Sequence, residues 1–70
     1  MNQTLPHDQL ARAAQAFQQQ DWQRAYQLSA QVLRQTPNHT GANYVAGLAA
    51  LQLQQWLQAL DCLQKAAQLE

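Results

Sequence analysis

The sequence predicts an all-α fold, two helix–turn–helix hairpins built from four antiparallel helices, and three observations carry that prediction. Displaced by 34 residues, the chain matches itself: Trp22 falls on Trp56, Ala25 on Ala59, Ala16 on Ala50, Gln18 on Gln52 and Gln20 on Gln54. Near-matches accompany these, with Ala13 over Gly47, Phe17 over Leu51, Leu10 over Tyr44 and Leu28 over Cys62. A period of this length is that of a two-helix repeat unit. Apolar residues also recur at three- and four-residue spacing, the signature of one helix face. Finally, no segment alternates with period two and β-branched residues are few, so strands have no support.

The first helix is expected to begin between Leu5 and Asp8, where Thr4 or Asp8 would cap it and Pro6 suits a first turn. Its apolar stripe is Leu10, Ala13, Ala14 and Phe17. Asp21 reads as the N-cap of a second helix carrying Trp22, Ala25, Leu28, Val32 and Leu33. That helix must stop before Pro37, which lacks an amide hydrogen and restrains the residue before it. Pro37-Asn38-His39-Thr40-Gly41 is the densest turn signal in the chain and separates the two copies. A third helix follows from Thr40 or Ala42 to Leu53, with Tyr44, Gly47, Leu48, Ala50 and Leu51 as its stripe. After a turn near Gln54-Gln55, the fourth runs from Trp56 to Leu69 with Ala59, Leu60, Leu63 and Ala66. The expected organisation is a lead-in at 1–6, one repeat at 7–39 and a second at 40–70.

Composition narrows the function classes. Seventy residues make at most one small domain, with little core to spare. Charged residues are only 11% and sum to zero; no basic run exists to neutralise phosphates, so no nucleic-acid partner is expected. No apolar run approaches the ~20 residues of a membrane span, so no membrane partner is expected either. The first residues show neither a basic nor an apolar segment of an export signal, and cytoplasmic residence is the default expectation. Sixteen glutamines stand where Glu and Lys are commoner on helix surfaces. They have good helix propensity and are interrupted at helical spacing by Ala, Leu and aromatics, which fits helix surface better than a low-complexity tract.

Small residues recur at fixed places. Ala13 and Ala25 stand twelve positions apart, as do Gly47 and Ala59, and small side chains at a crossing let helix backbones approach. Together with Asp21-Trp22, Leu33 and Pro37-Asn38 in the first copy, and Ala46-Gly47, Trp56, Leu63 and Ala66 in the second, they resemble the tetratricopeptide repeat (TPR) family. The resemblance spans about His7 to Glu70. Departures are Gln9 and Asn43 for the opening Trp, Arg12 for the Leu, and Ala16 and Ala50 for the Tyr of the family pattern. Trp22 and Trp56, with Phe17 and Leu51, are expected to supply the missing bulk by packing at the turns.

The resemblance implies a short right-handed α-solenoid whose first helices line a concave peptide-binding groove. Its lining would be His7, Leu10, Ala14, Phe17 and Gln18 in the first copy, and Gly41, Tyr44, Leu48, Leu51 and Gln52 in the second. Leu10, Ala14 and Val45 occupy the places where one subfamily clamps a chaperone-tail carboxylate; they offer no donor, so that ligand is not expected. An apolar lining suits an amphipathic helix. The same stripe would equally serve packing against another repeat, a neighbouring domain or a second copy of the chain.

Chemistry has little to work with. His7 and His39 match no metal-ligand spacing and read as solvent-facing turn residues. Cys62 falls at an apolar position equivalent to Leu28 and reads as a packed thiol. Asp8 and Asp21 read as caps, and no glycine-rich phosphate loop is present. No catalytic residue, metal or cofactor is expected. The leading expectation is a protein–protein interaction scaffold with a protein or peptide partner. Two alternatives are an N-terminal accessory domain of a larger bacterial enzyme of transferase or hydroxylase type, and a self-associating module forming a homo-oligomer.

Overall fold

Helices form where the spacing places them. A computed structural model describes residues 6–69, with side chains from Asp8 onward. It contains α1 (Pro6–Gln18), α2 (Trp22–Gln35), α3 (Thr40–Gln52) and α4 (Trp56–Leu69), joined by turns of three or four residues, and no strand among the described residues. Each helix packs on the next, α1 also touches α3, and α4 meets only α3. The arrangement is an all-α stack of two helical hairpins. A cap from Thr4 lies outside the described residues. Asp8 does not cap: it stands in the first turn of α1, inside the helix, where its charge still favours the N-terminal dipole.

The interior is made of small side chains. Ala13, Ala25, Ala42, Ala46, Ala49 and Ala50 are essentially inaccessible, and Val32 and Ser29 are the largest side chains that are fully buried. Large apolar residues sit instead at the margins, with Tyr44, Leu51 and Leu60 exposed. This corrects the expected stripes of α3 and α4. The cause is geometric: a stack of Cα atoms only 16 Å thick leaves a single contact layer, and backbones that close admit little more than a methyl group between them. Gly47 marks the tightest point, where an added Cβ would lie 2.6 Å from Leu63 Cγ and 3.2 Å from the Leu63 backbone nitrogen. Ala13 and Ser29 hold the equivalent places in the first hairpin, so a smaller residue on one helix is matched by a larger one on the other.

Both hairpins close by the same device. Gln20 and Gln54, 34 residues apart, have φ of 66° and 63°. The amide of Asp21 donates to Ala16 O at 2.9 Å and that of Gln20 to Phe17 O at 2.9 Å. Gln55 donates to Ala50 O at 2.9 Å and Gln54 to Leu51 O at 3.1 Å. These are paired Schellman closures with glutamine in the left-handed position that glycine occupies at least cost. Asp21 then caps α2, its carboxylate accepting from Arg24 N at 3.3 Å.

The turn between hairpins is held by two residues with unforeseen roles. His39 does not face solvent. It is half-buried and caps α3, its Nδ1 accepting from Ala42 N at 3.2 Å. Asn43, standing where the family pattern has Trp, is buried and donates from Nδ2 to Pro37 O at 3.1 Å and His39 O at 3.0 Å. An amide that fastens the turn to α3 thus replaces aromatic bulk. The turn aromatics are not equivalent: Trp22 packs edge-on against Phe17, with ring centroids 4.8 Å apart, whereas Trp56 is 59% exposed and Leu51 is exposed beside it in the repeat pattern. The reason is position in the stack, since α3 covers the first hairpin and no described helix covers the second.

Two stability measurements check this account. Gly47→Ala should cost about 1–3 kcal/mol by denaturant unfolding despite the better helix propensity of alanine, and less when Leu63→Ala accompanies it; a stabilised single variant would contradict the contact. Gln20→Gly and Gln54→Gly should each add about 0.5–1 kcal/mol, because relief of the left-handed strain exceeds the entropic cost of glycine. A loss at either site would deny the closure described.

Candidate functional site

No cluster of converging titratable groups exists from which to build an active site. Among the described residues, no group of three or more His, Cys, Asp or Glu could hold a metal. Cys62 is half-buried, and burial, aided by the Asp61 carboxylate and opposed by Lys65, pushes its thiol above the ordinary range. A thiol held protonated is the reverse of an activated nucleophile. No helix is long and apolar enough to cross a membrane among those residues.

What remains is surface, and the first helices carry most of the relevant part. At 100° per residue, Ala14 and Leu48 project from the outer centre of α1 and α3, with Gln18 and Gln52 one turn further on. Ala14 and Leu48 are half-buried and the two glutamines are exposed. The contact between α1 and α3 places these four side by side. Leu10 and Phe17 lie on the flank of α1 that meets α3. Leu10 faces Gly41, whose added Cβ would come within 2.9 Å of Leu10 Cδ2, and Phe17 packs against the Ala16, Ala25 and Ala49 cluster together with Tyr26. Tyr44 and Leu51 are the equivalents on α3 and stay open, 54% and 41% exposed. His7 has its side chain outside the described residues.

The structure therefore divides the eight candidate positions. Ala14, Gln18, Leu48 and Gln52 form a shared strip, Leu10 and Phe17 join the hairpins, and Tyr44 and Leu51 border the uncovered end. None of the eight carries a charge. Tyr44 also lines a hollow of about 350 Å³ with Thr40, Gly41, Leu63, Ala66 and Ala67. A second hollow, of about 520 Å³, lies at the opposite end and is polar, lined by Arg12, Gln15, Gln19, Asp21 and Arg24 beside Ala16. In it the Asp21 carboxylate sits among the cations and is already turned to the α2 amide. The end hollow beside Tyr44 was missed by reading the sequence one helix at a time. The signal that locates it is the 34-residue shift itself, which pairs covered Leu10 with uncovered Tyr44.

The family model described as anaphase-promoting complex, cyclosome, subunit 3 matches residues 1–66. No curated relative and no solved structure matches the chain. With four helices in two hairpins, a repeated closure at Gln20 and Gln54, and a family match over nearly its whole length, the chain belongs to the anaphase-promoting complex subunit 3 family of TPR-like repeats.

Proposed function

We propose that the chain is a non-catalytic protein–protein interaction scaffold that receives an amphipathic helix, presented by a peptide or a partner domain, across the outer face of α1 and α3. Membership in a TPR-like family supports the general class, an interaction module. One observation carries the finer reading: two first helices in contact present the side-by-side strip of Ala14, Gln18, Leu48 and Gln52, with no ionisable group in it. Leucine and alanine supply contact area. The two glutamine amides, each with donors and an acceptor, supply hydrogen bonds at the lower end of the strip. Tyr44 and Leu51 widen it toward the uncovered end, while Leu10 and Phe17 underlie it as the joint between hairpins.

An occupant of such a strip is recognised by apolar area and amide hydrogen bonds rather than by ion pairs. Its affinity should therefore change little with salt, unlike that of charge-clamped peptides. A leucine-rich amphipathic helical peptide, titrated into ¹⁵N-labelled chain, should shift the amides of Ala14, Gln18, Leu48 and Gln52. Leu48→Glu should weaken binding by about tenfold or more, since it places a charge under the apolar face of the peptide. Shifts confined to α2 and α4, or an unaffected Leu48→Glu variant, would refute this site.

A further inference from the structure

The two hairpins differ in what covers them, and the difference lies along one flank. On α2, Trp22, Tyr26, Ser29 and Leu33 fall within about 60° of one another in helical projection. They are buried or half-buried where α3 packs. The same flank of α4 carries Trp56, Leu60, Leu63 and Ala67, and no described helix meets it. Trp56 is 59% and Leu60 53% exposed, and Leu57, whose counterpart in the first hairpin is Gln23, is 78% exposed beside them. Asp61 and Lys65 project from another side of α4. The flank continues the internal interface: the hollow beside Tyr44 is the counterpart of the seat that α3 occupies on the first hairpin.

The opposite end of the molecule is closed to such stacking. α3 settles on the first hairpin through Ala42, Ala46 and Ala49, all fully buried. At those places α1 carries Asp8, Arg12 and Gln15, all exposed. A second copy bringing its α1 onto the open flank would press a carboxylate and a guanidinium against leucine, at the cost of desolvating both. A second copy bringing its own open flank meets apolar surface with apolar surface. The zero net charge of the chain sets no long-range repulsion against that encounter.

We propose that the open flank of the second hairpin, Trp56, Leu57 and Leu60 bordered by Tyr44 and Leu51, is a self-association surface on which a second copy docks by the same flank about a two-fold axis. The pairing is isologous, so it closes at two chains and leaves the Leu48 strip outward on each.

Sedimentation equilibrium of the full chain tests this, from roughly 1 μM to roughly 1 mM, a span of dissociation constants typical of small interfaces. The expected mass rises from 7.9 kDa to twice that value and stops. Leu57→Glu with Leu60→Glu should weaken association at least about tenfold with unchanged far-UV helicity, whereas Gln23→Glu should behave as the parent. A measurement independent of those variants uses Trp22→Phe, which leaves Trp56 as the sole tryptophan; its emission should move to the blue over the same concentrations. A mass fixed at 7.9 kDa, association that survives the double variant, a mass climbing past two chains, or a Trp56 emission that never moves would each overturn the proposal.

Discussion

Close approach of helix backbones across alanine and glycine is the constraint on which everything else in this chain depends. With methyl groups or single hydrogens at the crossings, the stack is 16 Å thin, and its only fully buried side chains larger than alanine are Val32 and Ser29. Each alanine removes little area from water, so the stabilisation per residue is modest. Many small contacts in register, rather than a few large anchors, hold the hairpins together. That economy has a consequence for the surface. Leucine, tyrosine and tryptophan are displaced from the crossings to the margins, and the margins are where this molecule meets others.

Position along the stack then sets what each margin can do. α3 is seated on α1 and α2, and its seating converts Leu10, Phe17, Trp22 and Tyr26 into half-buried joint residues. Their counterparts Tyr44, Leu51, Trp56 and Leu60 are all exposed. Identical places in the repeat thus acquire different physics because one hairpin has a neighbour and the other does not. The polar residues of α1 at the seating positions finish the first end. The turn between hairpins is fixed as firmly as either hairpin, through the His39 cap and the two bonds from Asn43, so the relation between the first helices is built in.

Much of the fold was legible in the sequence. The 34-residue shift locates both turns, Asp21 announces a cap and Pro37 a stop. Each signal is local, and local chemistry settles helix ends. Harder to read was which apolar residues go inside. Stripe counting weights Tyr44, Leu51 and Leu60 by their hydrophobicity, whereas the crossing distance selects for size and leaves Ala42, Ala46 and Ala49 in the interior. His39 and Asn43 escaped for a related reason: a histidine cap and an asparagine staple are made by the three-dimensional return of the chain, not by spacing. The candidate strip inherits the same division. Ala14 and Leu48 follow from the helix period, but the separation of Leu10 and Phe17 from Tyr44 and Leu51 depends on where α3 lies.

Denaturant unfolding of Ala25→Leu and Ala59→Leu, set beside Ala11→Leu, tests the close-packing claim most directly. Ala25 and Ala59 are buried at equivalent crossings, whereas Ala11 is exposed on α1. The account predicts losses of about 1–3 kcal/mol for the first two and a change within about 0.5 kcal/mol for the third. Three variants of equal stability, or a gain at either crossing, would mean that these helices do not meet across small side chains.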